Sequence, residues 1–130
     1  MKAINGFALV FLGAGIGGVL RHAVNLVSGR LIGPNLPIGT LLINVVGSLT
    51  IGLIAGYLAL RGHASQGFQL LVVTGIIGGF TTFSAFSLEA ALLWERGQAV
   101  TGIAYVLLSV LLSIAAVFAG LALIRSRYAV

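Results

Sequence analysis

"VTGIAYVLLSVLLSIAAVFAGLALI", residues 100–124, runs without a single charged side chain. A helix rises about 1.5 Å per residue, so about 20 apolar residues cross a hydrocarbon core of about 30 Å. This run is long enough to do so. Working outward from it, three more runs qualify, at about 4–27, 38–60 and 68–94. Between them lie "GPNLP" at 33–37, "RGHASQG" at 61–67 and "ERGQ" at 95–98, all short and rich in turn-forming or polar residues. In lipid only helices and closed barrels satisfy every backbone polar group. These runs are too long and too continuous for barrel strands. The expected fold is an all-α membrane protein, a single domain over residues 1–130 with four transmembrane helices.

Composition agrees. The 130 residues are 59% hydrophobic and 7% charged, with a mean hydropathy of +1.18. Soluble domains carry roughly a quarter charged residues. The solvent for such a surface is the lipid bilayer. There is no cysteine, which excludes disulfides, thiolate metal sites and thiol chemistry. The net charge of +5 sits on too little polar surface to suggest nucleic acid. It suits helix ends beside anionic headgroups, and it also attracts small anions. Lys2 and the apolar stretch 6–20 loosely resemble a leader peptide, but Arg21-His22 stands where a cleavage site should lie, so the segment is read as retained.

With four spans, the N-terminus, the 61–67 connection and the C-terminus share one side, which carries Lys2, Arg61, Arg125 and Arg127. The other side carries Arg21, Arg30 and Arg96. Loop arginines and lysines set orientation, and here they nearly balance. Charge alone therefore leaves two outcomes: insertion both ways to give an antiparallel dimer, or one orientation set by the C-terminal pair.

Polar residues inside the spans are few, and such residues tend to face the protein interior or a water-filled path. Thr40, Asn44 and Ser48 repeat at four, as do Tyr105, Ser109 and Ser113, so each trio lies on one helix face. Serine and threonine can satisfy themselves on the preceding turn. Asn44 cannot do so as easily, and its amide fits either a helix–helix hydrogen bond or a donor in a permeation path. Arg21 fits either a snorkelling side chain or a charge at the mouth of a path. No carboxylate stands near the middle of a span; Glu89 lies toward the end of the third, and Glu95 at the membrane edge. That disfavours proton-coupled cation export. His22 and His63 are far apart near span ends, and no nucleophile elbow, H-E-x-x-H or phosphate loop is present. No enzyme is expected. Gly13/Gly17, Gly52/Gly56 and Gly75/Gly79 each form G-x-x-x-G, suited to close helix approach.

The third span holds "GIIGGFTTFSAFS" at 75–87. Gly75, Gly78 and Gly79 weaken a helix and Thr81-Thr82 do not restore it, so a break is expected near the bilayer midplane. Freed carbonyls there are costly unless bound, and broken transmembrane helices aim such groups at Na⁺. Phe83 and Phe86 project one turn apart. Either they pack, or their electropositive ring edges touch an anion.

"GGFTTFSAFS", with "GTLLINVVGS" at 39–48 and "GGVLRH" at 17–22, resembles the Fluc (CrcB) family of fluoride channels over the whole chain. The resemblance implies an antiparallel dual-topology homodimer in a bacterial inner membrane, with two pores passing fluoride passively and a central structural sodium ion. It implies that Gly78 and Thr81 offer backbone carbonyls to sodium, and that Phe83 and Phe86 line the pores. Asn44 then donates to fluoride, Tyr105, Ser109 and Ser113 form a polar track, Glu89 stands near a pore end and Arg21 serves the vestibule. Family members often carry a hydroxyl between the two phenylalanines; here that position is Ala85, which leaves Ser84 to extend the track. The competing readings are a small four-span dual-topology multidrug exporter and a non-transporting membrane assembly protein.

Overall fold

The computed structural model describes residues 3–62 and 64–128; Lys2 and His63, named above, lie outside them. The described residues form an all-helical bundle. Helix α1 is Ala3–Leu31 and α2 is Ile38–Arg61. Helix α3 covers 66–80, α4 is Phe83–Glu95 and α5 is Ala99–Tyr128. Taken as membrane spans, the apolar stretches are Ile4–Leu31, Ile38–Arg61, Gln66–Glu95 and Ala99–Tyr128, each long and apolar enough to cross a bilayer. This is a multi-pass membrane protein.

The core is small and the outside is oily, as lipid permits. Ile43 is fully buried and Leu93 is 2% exposed, whereas Phe11 is 79% and Val100 83% exposed. Polar backbone groups are satisfied within the helices, so apolar side chains are free to face outward. Most charge sits at the ends; Arg21 and Glu89 are the exceptions within the spans. Arg61, at the end of α2, lies over the Tyr57 and Tyr128 rings, 5.8 and 5.9 Å from their centroids, within cation–π reach.

The bundle is built from two tight pairs, α1 against α3 and α2 against α5. Both depend on missing side chains. A Cβ on Gly75 would lie 2.8 Å from the Gly13 Cα, and one on Gly79 2.8 Å from the Ala14 Cα. A Cβ on Gly120 would lie 2.7 Å from the Leu49 carbonyl oxygen. All three G-x-x-x-G pairs thus contain residues that let backbones touch.

Within α3, residues Gln69–Ile77 use the wider i→i+5 hydrogen bonding; the Gly78 N–H, for example, reaches the Val73 carbonyl. Such wide turns often mark functional sites. Gly75, Gly78 and Gly79 nevertheless remain helical. The two residues that leave helical geometry are Thr81 (φ −73°, ψ 155°) and Thr82 (φ −153°, ψ 115°). Glycine propensity measured in water exaggerates the weakness of this stretch, because the glycines here gain contact with α1. Threonine 82 starts α4 by side-chain capping: its Oγ1 accepts from the Ala85 N–H at 3.2 Å.

Candidate functional site

The departure at Thr81-Thr82 opens onto a groove between α2, α3, α4 and α5. Its volume is about 510 Å³. Asn44 and Ser48 of α2, Gly78, Thr81 and Thr82, Phe83 and Phe86 of α4, and Ser109 and Ser113 of α5 all line it. Residues far apart in the chain meet at one surface.

Asn44 anchors that surface. Its Nδ2 donates to the Thr82 carbonyl at 3.1 Å, and its Oδ1 accepts from the Thr82 N–H at 2.8 Å. The amide pairs with both backbone groups of the residue that has left the helix. This is the helix–helix role in its strongest form, but it does not exhaust the side chain. An amide nitrogen carries two hydrogens, and Thr82 takes one.

The consequence for neighbouring carbonyls follows from helix geometry, in which each accepts from the N–H four residues on. The partner of the Gly78 carbonyl would be the Thr82 N–H, which Asn44 engages. The partner of the Thr81 carbonyl would be the Ala85 N–H, which the Thr82 hydroxyl engages. Both residues line the groove. Thr81 itself is held by bonds from its N–H and its Oγ1 to the Ile77 carbonyl, each 3.0 Å.

Three aromatic rings step away from this point. Phe83 and Phe86 have centroids 5.4 Å apart, tilted by 53°; Phe86 and Tyr105 are also 5.4 Å apart, tilted by 50°. Phe86 is buried, while Phe83 is 77% exposed. Beyond Tyr105 lies a carboxylate. The Tyr105 hydroxyl donates to Glu89 Oε2 at 2.7 Å, and the Thr40 hydroxyl to Oε1 at 2.8 Å. On the far side of this cluster is a second cavity of about 350 Å³, lined by Glu89 and Thr40 together with Asn25, Ser28, Asn35 and Arg96. The cluster of buried Phe86, Tyr105 and Thr40 with half-buried Glu89 lies between the two.

On α5 the polar trio divides. Ser109 and Ser113 line the groove, and their hydroxyls, buried from solvent, have no hydrogen-bond partner. Unpaired buried hydroxyls are uncommon and need a reason. Tyr105, on the same helix face, sits past the Phe86 ring and belongs to Glu89. Ser84 is exposed and shares a 3.3 Å hydrogen bond with Thr82 Oγ1. Arg21 is half-buried on α1 and lines neither cavity. Sequence spacing places Thr40 on the face of Asn44 but does not disclose its bond to Glu89, nor the Asn44–Thr82 pair; both are contacts between distant helices. One local signal for Thr82 is present, a threonine three residues before the Ala85 N–H it caps.

A family model described as CrcB-like protein, Camphor Resistance (CrcB), matches residues 8–121. The chain belongs to the CrcB family. Curated relatives agree with one another. A protein of Rhodopseudomonas palustris (strain BisB5), named Fluoride-specific ion channel FluC, is 58% identical over 92% of this chain and 97% of its own. One of Nitrobacter hamburgensis, named Fluoride-specific ion channel FluC 2, is 55% identical over 92% and 96%. One of Methylobacterium nodulans, with the FluC name, is 56% identical over 90% and 94%. These CrcB relatives are named as ion channels, not as enzymes, in keeping with a chain that offers no catalytic constellation.

Proposed function

We propose that this CrcB-family chain is a passive fluoride channel of the bacterial inner membrane, acting as an antiparallel homodimer with two pores. The observation that carries the reading is the groove. It brings Asn44, Phe83, Phe86, Ser109 and Ser113 to one surface and leaves two buried serine hydroxyls without protein partners. Relatives that match nearly end to end are named as fluoride-specific channels.

The chemistry suits a small, tightly hydrated anion. Leaving water requires replacement donors along the way, each weak enough to let go. The second N–H of Asn44 and the hydroxyls of Ser109 and Ser113 are neutral donors in series. The edges of Phe83 and Phe86 offer a weaker electropositive contact. No full positive charge lines the groove to trap the ion. Export then needs only a fluoride gradient.

A second copy is favoured because the groove is open and carries polar groups on a largely apolar wall. A lipid-facing groove with unpaired hydroxyls and carbonyls would be costly; a second chain crossing at Thr81-Thr82 would cover it, along with the exposed Phe83. The nearly balanced end charges suit opposite insertion of the two copies. The break in the third span, placed near the bilayer midplane, suits a sodium ion. The Gly78 and Thr81 carbonyls, deprived of their helical donors, are hard oxygen ligands of the kind such an ion takes. Bound there, sodium would supply a fixed positive charge beside the anion path. Asn44 and Thr82 keep those carbonyls out of the helical ladder.

The test is efflux from vesicles containing only the purified protein. Fluoride leaves without a proton gradient while chloride stays behind. Equal passage of chloride, or no fluoride loss, overturns the reading.

A further inference from the structure

We propose that Arg96 collects anions at the mouth of the path, holding a positive charge above the Glu89 carboxylate. The inference rests on the reading of the chain as an anion channel. It concerns the 350 Å³ cavity at the end of the bundle where the α1–α2 and α4–α5 connections meet. Glu89 and Arg96 are the two charged residues that line it. They are seven positions apart, about two helical turns, and so share one face of α4 and its end. A carboxylate beside an anion path raises the barrier to entry. A cation further out lowers it and raises the local anion concentration.

Whether Arg96 is available depends on its partners. Glu89 is already engaged by two neutral donors: Oε1 accepts from Thr40 and Oε2 from Tyr105. The Arg96 backbone lies about 10 Å further along the axis than that of Glu89. Its backbone position is fixed. The Arg96 N–H bonds the Leu92 carbonyl at 3.1 Å, the Gly97 N–H that of Trp94 at 3.0 Å, and the Gln98 N–H that of Leu93 at 2.9 Å. Gly97 has φ +76°, a turn that a side chain would strain, and Leu93 beneath it is 2% exposed. The helix end therefore holds this side chain at the cavity, whereas Arg21 lies outside it. The remaining polar lining, Asn25, Ser28 and Asn35, is neutral and adds no competing charge.

The experiment measures fluoride efflux from vesicles at low and high ionic strength, the latter set with an impermeant salt. At low ionic strength Arg96→Gln slows efflux by roughly threefold, a modest steering effect for one charge. The deficit shrinks at about 1 M salt, where the screening length falls to about 3 Å. Arg96→Lys keeps the wild-type rate, and Arg127→Gln, which removes a charge that does not line this cavity, leaves it unchanged. A wild-type rate for Arg96→Gln at low salt overturns the inference. So does a deficit that salt does not reduce, a failure of Arg96→Lys to restore the rate, or an equal loss in Arg127→Gln. If the wild-type protein passes no fluoride at all, the channel reading itself fails, which is a separate outcome.

Discussion

Asn44 and Thr82, 38 positions apart in the chain, exchange two hydrogen bonds of 3.1 and 2.8 Å between one side-chain amide and both backbone groups of one residue. The pair binds α2 to the point where the third span leaves helical geometry. It performs for Thr82 what a neighbouring strand performs in a sheet, in a place where neither helix nor water is at hand. Asn44 thereby holds the chain open, and the proposed channel gives its remaining N–H a second duty, as a donor in the groove.

The holding duty predicts a stability loss in Asn44→Ala. Thr82 is 8% exposed, so its N–H and C=O would lose partners in a poorly solvated place. A buried group left unpaired costs about 1–3 kcal/mol. The thermal midpoint in detergent should fall by several degrees. An unchanged midpoint would show that Thr82 finds other partners readily.

The donor duty predicts the outcome of Asn44→Asp. The acceptor for the Thr82 N–H survives, but a carboxylate oxygen replaces the N–H group and meets the Thr82 carbonyl and the passing anion. Fluoride efflux should be abolished while the protein still elutes as a folded species. Normal efflux would remove Asn44 from the path.

Phe83→Ile and Phe86→Ile should each depress efflux, for different reasons. Phe86 is buried between Phe83 and Tyr105, and its ring contacts are worth about 0.5–1.5 kcal/mol beyond area, so its replacement also lowers stability. Phe83 is mostly exposed in the single chain, so Phe83→Ile forfeits little packing beyond its contact with the Phe86 ring and should act mainly on flux. Wild-type rates in both variants would return the rings to simple packing.

The four long helices are legible in the sequence because the signal is an average over twenty or more residues, and lipid imposes it on every one of them. The faces of α2 and α5 are legible for the same reason of repeat: Asn44 with Ser48, and Ser109 with Ser113, reach one groove. Partners across helices are not legible. Tyr105 shares the spacing of the serines, yet its ring packs on Phe86 and its hydroxyl goes to Glu89. Arg21 lies on α1 and lines neither cavity, whereas Arg96, which lines the second, sits in a connector that spacing rules ignore. The glycines mislead in a physical way. They read as helix breakers, yet Gly75 and Gly79 stay helical because α1 packs directly on their backbone, and two threonines leave the helix instead.

The Glu89 cluster supplies the last test. Thr40 is 1% exposed and Tyr105 5% exposed, and each gives its hydroxyl to a different oxygen of one carboxylate. Thr40→Val and Tyr105→Phe are nearly isosteric, so packing changes little and the lost hydrogen bond dominates. Bonds to a charged group contribute about 1.5–3 kcal/mol, and each single variant should lower the unfolding midpoint accordingly. The double variant should depart from the sum, because residues in one network couple by about 0.5–3 kcal/mol. With one hydroxyl gone, the other still serves the carboxylate; with both gone, nothing on α2 or α5 does, and Glu89 must turn toward the mouth and Arg96. Strict additivity of the two losses would mean that the carboxylate does not couple α2 to α5 and that the two hydroxyls act alone.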